Sequence, residues 1–152
     1  MILESTRLGK IEIKENEVFH FPEGLYGFEN ERRFVLLPLN PNVDCPLEYM
    51  HSLSNPDLAF VVTDPYIYIP DYKLHLTEDD RKQILLEYNR SALVRVIVRV
   101  PQNYLEMTAN LVAPVVFNME KRVGRQFVLT TPEYDTRHYL LPKELRPAGA
   151  KV

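Results

Sequence analysis

Several things are scarce in this sequence, and each shortage excludes a class of protein. There is one cysteine, Cys45, so no internal disulfide can form, which fits a reducing compartment. No Cys-x-x-Cys occurs, and His20, His51, His75 and His138 stand in separate segments without paired metal-ligand spacing. There is no His-Glu-x-x-His, no Gly-x-Ser-x-Gly elbow and no glycine-rich phosphate loop. No apolar run is long enough to span a bilayer. Residues Met1 to Lys14 carry charges among their apolar positions, unlike a signal peptide. Positive charge is not in excess: 18 Lys and Arg face 21 Asp and Glu, a formal net charge of -3. That argues against general electrostatic binding to nucleic acid. Only 5 glycines accompany 12 prolines, so rigid turns end many short elements and long helices are not expected. The chain therefore reads as a cytoplasmic protein with no membrane segment, no cofactor and no catalytic motif.

What is present is a succession of short strands. The 152 residues suffice for one domain with a real core. Ile11 and Ile13 alternate with Lys10, Glu12 and Lys14, a half-buried strand, and Val18 to Phe21 is expected to pair back on it. The stretch from Phe21 to Glu29 is a loop, punctuated by Pro22, Gly24 and Gly27, with apolar Leu25, Tyr26 and Phe28. Either it folds back to plug a barrel end, which is the favoured reading, or it presents an anchor to a partner. Arg33 to Leu39, Leu47 to Leu53 and Leu58 to Val62 read as strands. In Leu93 to Val100, Val94, Val96, Val98 and Val100 share one face, with Leu93, Arg95, Ile97 and Arg99 on the other. Glu120 to Arg125, with Gly124, reads as a hairpin turn before a returning strand at Gln126 to Thr130. Arg137 to Leu141 is a possible edge segment. The only good helix starts at Thr77, an N-cap with Asp80 three residues on. Its apolar stripe is Ile84, Leu85 and Tyr88, and it is expected to end near Asn89. The fold class is mainly β, a single-domain antiparallel β-barrel-like fold over residues 1–142 with one short helix. Residues 143–152 read as a flexible C-terminal tail.

Candidate sites were weighed against ordinary structural roles. Cys45 lies between an aspartate and a proline, and an incidental thiol is favoured over a catalytic one. His51 and Ser52 are adjacent in a strand and point to opposite faces. Glu78, Asp79 and Asp80 suit the positive end of a helix dipole without any metal. With Asp71 they form the densest negative patch in the chain, a candidate surface for a basic partner. Tyr66 and Tyr68 alternate with Ile67 and Ile69 between two prolines. Core-facing isoleucines on a short edge strand would turn Tyr66, Tyr68 and Tyr72 outward as a partner-binding surface. Arg95 and Arg99, with Arg90 nearby, could track RNA on a barrel face, but a solvated face is favoured. The run from Met107 to Asn118 is nearly apolar and jointed at Pro114, which cannot donate to a ladder. Asn110 and Asn118 are the amides expected to serve buried backbone groups at that joint.

That last run, Thr-Ala-Asn-Leu-Val-Ala-Pro-Val-Val-Phe-Asn at residues 108–118, resembles the signature of the FliW family of flagellar assembly factors. The loop Phe21-Pro-Glu-Gly-Leu-Tyr-Gly-Phe-Glu29 is similar to that family's early loop, with Tyr26 where proline is usual. Leu58-Ala-Phe-Val-Val-Thr-Asp-Pro65, Pro70-Asp-Tyr72 and Gly124-Arg-Gln126 follow in the family's order. Met50-His51-Ser52-Leu53 departs from the family's Leu-Gln-Ser-Leu. The resemblance implies a small, non-catalytic β-barrel-like protein that is a monomer when free and binds neither nucleic acid nor membrane. It also implies two partners: the translational repressor CsrA, whose block on flagellin translation is relieved by binding, and flagellin, which competes for the factor. The alternative carried from the residues alone is a ligand- or RNA-binding β-barrel module.

Overall fold

Alternating side chains give a strand two faces, and in this chain most strands bury both. The computed structural model describes residues 1–146. In chain order the strands are β1 (Ile2–Ser5), β2 (Gly9–Glu12), β3 (Phe19–His20), β4 (Arg33–Pro38), β5 (Leu47–Ser52), β6 (Ala59–Thr63), β7 (Ala92–Arg99), β8 (Thr108–Ala109), β9 (Val115–Asn118), β10 (Val123–Gln126) and β11 (His138–Tyr139). Two short helices, α1 (Pro65–Tyr68) and α2 (Glu78–Gln83), lie between β6 and β7.

The sheet runs β7-β6-β5-β4-β3-β10-β9, and β9 pairs again with β7, closing a ring. Closure removes the exposed edges that an open sheet must protect. Every neighbour in the ring is antiparallel except β3 and β10, which run parallel. β8 and β11 extend from the far end of β7. The mainly β reading therefore holds, with two helices rather than one and a parallel pair inside the ring.

The interior is filled by Phe19, Phe21, Leu25, Phe34, Met50, Val62, Val115 and Phe117. Phe21 meets Phe34 and Phe117 edge-on at 5.2 and 5.5 Å, and Phe19 meets Phe117 at 4.7 Å. Edge-to-face pairs of this kind add to the area term. The outer faces are covered by three further clusters. The β1–β2 hairpin, through Leu3, packs with Ile13 on Val35 and Leu37. Tyr72, Leu111 and Leu140 cover Val94, Val96 and Val98 of β7. Ile84, Leu86 and Phe127 cover Val116 of β9. Burial on both faces explains why these strands are short, β-branched and poor in charge.

Four sequence expectations are corrected. β2 pairs with β1, not with the Val18 to Phe21 segment, because Gly9, at φ +77, turns the chain directly back. Val100, placed with the buried valines, lies past the end of β7 and is exposed. The β9–β10 turn is made by residues 119–122, and Gly124 sits inside β10 opposite Phe117. α2 spans six residues and stops at Ile84 rather than near Asn89. Leu85 has φ +56, so the stripe of Ile84, Leu85 and Tyr88 never forms. Ile84 is buried while Leu85 and Tyr88 are exposed. Of the expected tail, Lys143–Leu145 forms a 3-10 turn and Arg146 lies 3.8 Å from the Tyr139 ring centre. Residues 147–152 lie outside the described residues.

Gly124 carries a packing consequence. A Cβ at this position would stand 2.4 Å from Cζ of Phe21, whose ring is fully buried. The ring cannot retreat, because Phe34 and Phe117 hold its other sides. Gly124→Ala is expected to destabilise the domain by about 1–3 kcal/mol through overpacking, measured by urea denaturation. Adding Phe21→Leu should recover part of that loss, since neighbouring substitutions couple. Strict additivity of the two would refute the account.

Candidate partner-binding surface

The jointed run is held by side-chain amides. Asn110 Oδ1 accepts from the N–H groups of Val112 and Ala113 at 3.1 and 3.2 Å. Pro114 follows, and β9 starts immediately after it. Asn118 Oδ1 accepts from Glu120 and Lys121 N–H at 3.0 and 3.1 Å, and its Nδ2 donates to the carbonyls of Ile84 and Leu85 at 2.9 and 3.0 Å. Gln126 extends the arrangement: Nε2 donates to Ala113 O at 3.2 Å, and Oε1 accepts from Tyr26 N–H at 3.0 Å. The joint thereby fixes the Phe21 to Glu29 loop. Gly24, at φ +64, brings that loop so close that a Cβ would lie 2.6 Å from two backbone oxygens. The loop divides its apolar residues. Leu25 enters the barrel interior, while Tyr26 and Phe28 stay exposed, Phe28 packing edge-on against Phe60.

The aromatic segment differs from its sequence reading. Residues Pro65–Tyr68 form a helical turn, not an edge strand. Asp64 accepts from Tyr66 N–H as an N-cap, and Pro65 takes the first helical position, where a missing donor is harmless. Ile67, expected in the core, is exposed, and Ile69 packs beside β7. Tyr66 is part-exposed, and burial beside Asp64 raises its hydroxyl pKa. Tyr68 leans on the β7 cluster. Tyr72, expected outward, is buried, and its hydroxyl donates to Leu111 O at 2.6 Å. Burial, with Tyr134 close by, holds that hydroxyl neutral far above the ordinary tyrosine range. Of the three tyrosines, only Tyr66 presents substantial surface.

At the start of α2, Thr77 Oγ1 accepts from Asp80 N–H, and Asp80 Oδ2 accepts from Thr77 N–H, each at 3.0 Å. Asp80 is thereby committed to the cap. Glu78 and Asp79 remain exposed, as does Asp71 upstream. Between Tyr72 and the helix runs an extended strap, residues 73–77. Leu74 and Leu76 pack inward, while Lys73, His75 and Thr77 point out. A groove of about 400 Å³ lies on one side, lined by Tyr26, Lys73, His75, Asp80, Arg125 and Val128 among others. On the other side a groove of about 520 Å³ includes Tyr66, His75, Arg81 and Leu86. The structure thus places Tyr66, the acidic helix start and Tyr26 around one strap. The sequence reading missed Lys73 and His75, and it held Tyr26 only as part of the less favoured reading of its loop as a partner anchor. The polar-apolar alternation Lys-Leu-His-Leu-Thr was the available signal for the strap.

The remaining candidates have structural partners. Arg95 is ion-paired with Glu48 at 2.6 Å and is largely buried, so it is not a free cation for RNA. His51 is fully buried; its Nδ1–H donates to Ser52 O at 2.7 Å and its Nε2 hydrogen-bonds with the Ser5 hydroxyl at 2.8 Å. Glu31 accepts from the hydroxyls of Ser52 and Ser54 at 2.6 and 2.8 Å, and these bonds, Ser52 foremost, lower its pKa. Among the described residues, no group of three His, Cys, Asp or Glu side chains is arranged to hold a metal, and no helix is long and apolar enough to cross a membrane.

Comparison with known proteins gives one consistent result. The sequence model of the FliW protein family matches residues 2–140. A relative named flagellar assembly factor FliW from Alkaliphilus metalliredigens is 36% identical over 141 residues, covering 93% of this chain and 86% of the relative. Another of that name, from Geobacillus thermodenitrificans, is 37% identical, covering 90% of this chain and 93% of its own. A crystal structure of the flagellar assembly factor FliW superposes with a TM-score of 0.87 at 34% identity, covering 95% of this chain and 99% of that one.

Two measurements check the local chemistry. Tyr72→Phe leaves Leu111 O buried without its donor and should cost about 1–2 kcal/mol in urea melts. An unchanged midpoint would mean water replaces the hydroxyl. Glu31 contributes stability of the opposite pH sense to a raised group. Its folded pKa lies below the ordinary 4.5, so the contribution is complete above that value and lost as pH falls through the folded one. The melting temperatures of wild type and Glu31→Gln should differ at neutral pH and converge in acid. A gap independent of pH would refute the assignment.

Proposed function

This chain belongs to the FliW family, and from that membership we propose that it is a non-catalytic flagellar assembly factor that works by binding other proteins. The observation that carries this is the family match over residues 2–140. The proposed partners are CsrA, whose repression of flagellin translation is relieved on binding, and flagellin, which competes for the factor and releases CsrA. The factor acts in the cytoplasm as a monomer when free, with no cofactor. The scaffold supports this reading: its interior is occupied by phenylalanines rather than by a ligand lumen, and its open grooves lie outside, around the strap.

For CsrA, an RNA-binding protein that has to present positive charge, the proposed contact is the acidic start of α2 with Asp71. Glu78 and Asp79 are the exposed members and Asp80 serves the cap. Tyr66, with Tyr68 beside it, supplies the aromatic part of the surface.

The test is affinity capture from a motile host with and without flagellin, followed by kinetics on purified partners. CsrA should be retained when flagellin is absent and displaced when flagellin is added. Retention of RNA or a small molecule with neither protein would overturn the proposal. Glu78→Lys with Asp79→Lys should slow CsrA association by about tenfold at low salt and flatten its salt dependence. Unaltered kinetics across salt would remove this patch from the interface.

A further inference from the structure

The other end of α2 carries a patch of opposite sign. After Gln83 the chain is clamped by Asn118, whose Nδ2 donates to the carbonyls of Ile84 and Leu85. The clamp sends Ile84 into the core, fully buried, and turns Leu85 outward, 55% exposed. Leu85 pays in backbone strain: its φ of +56 lies in the left-handed region that a leucine rarely adopts. Leu85 is the left-handed residue of a helix C-cap, with its N–H on Lys82 O at 3.1 Å and the Leu86 N–H on Arg81 O at 2.8 Å, and it presents an apolar side chain where glycine is usual. Around Leu85, an open hollow of about 520 Å³ is lined by Arg81, Lys82, Leu86, Glu87 and Lys121. The Arg81 guanidinium is fixed by Asn89 Oδ1 at 2.6 Å and Glu87 O at 3.2 Å. Lys82 and Lys121 are exposed and have no ion pair among the described residues. The hollow has an apolar floor, three cations and a single carboxylate.

We propose that this hollow docks an acidic segment of flagellin, with an apolar side chain of that segment on Leu85 and its carboxylates on Lys82 and Lys121. The choice of partner rests on the functional reading above. Of the two proposed partners, the RNA-binding repressor has to present positive charge and is repelled here, which leaves flagellin. The geometry also accounts for competition. A six-residue helix is about 9 Å long, whereas one side of a standard interface covers about 800 Å². The acidic and basic ends of α2 therefore fall within one footprint, and two partners steered to opposite charges still exclude each other.

Purified monomeric flagellin and purified CsrA are titrated separately against wild type, Leu85→Gly, and the pair Lys82→Glu with Lys121→Glu. Glycine relieves the strained φ, so Leu85→Gly should melt no earlier than wild type. Its affinity for flagellin should fall by about tenfold or more, and its affinity for CsrA by much less. The lysine reversals should weaken flagellin binding in the same way and steepen loss at low salt. If both variants bind flagellin as wild type does, the docking site is wrong while the functional reading stands. Equal losses for both partners would overturn the separation by charge. If wild type binds no flagellin at all, the functional reading and the site fall together. Should Leu85→Gly melt early, Leu85 is structural, and the lysine pair alone decides.

Discussion

A primary amide has two donor and two acceptor positions, and the Asn118 side chain uses all four. Its oxygen shapes the turn that leads β9 into β10, and its nitrogen holds the chain that leaves α2. The same residue stands opposite Ala92 of β7 and Val123 of β10 in the strand register. Ring closure, the turn and the end of the helix are thus fixed at one buried point. Leaving such groups unsatisfied in the interior costs far more than a single exposed bond is worth. Everything further out inherits its position from here: Ile84 against Val116, Leu85 at the surface, and Lys121 across from Lys82.

The packing around this point is two-sided. β7 shows it best, with Leu93 and Ile97 against the phenylalanine core and Val94, Val96 and Val98 under the strap and Leu111. A barrel of short strands gains little area from its interior alone. Covering the outer faces with a hairpin, a strap and the end of a helix supplies the rest. The grooves beside the strap follow from that covering, because an extended segment laid over a sheet leaves open flanks.

Legibility from sequence followed the physics of each element. β7 was readable because period two separates its two faces, and β4 and β9 because a short continuous apolar run suits a strand buried on both sides. The Thr77 cap was readable because its side-chain chemistry is local. The Tyr66 to Ile69 segment was misread because the same alternation competes with a local signal, Asp64 followed by Pro65, and the local signal won. The end of α2 was not readable, since the left-handed cap that stops it falls on a leucine rather than a glycine and is held from outside by Asn118, 34 positions away from Ile84. Tyr72 followed the same logic, its burial being set by Leu111, which is 39 positions away. In the candidate surface the acidic helix start was legible. The strap was not, and Tyr26 was read only within a loop whose anchor role was the less favoured one, because only the closed ring brings them together.

The parallel pair β3–β10 has a meaning for how the molecule is made. It is a narrow seam, with one register pair, Val123 and His20. It is reinforced by Arg122, 3.7 Å from the Phe19 ring centre, and by the Tyr26–Gln126 bond, which spans 100 positions. A chain emerging from the ribosome has its interior phenylalanines at 19, 21 and 34 long before the last staves at 115–126 exist. Non-local pairings of this kind form late. Until they do, the nascent chain is an open trough with an aromatic floor, and the barrel becomes watertight only once residue 126 has left the ribosome.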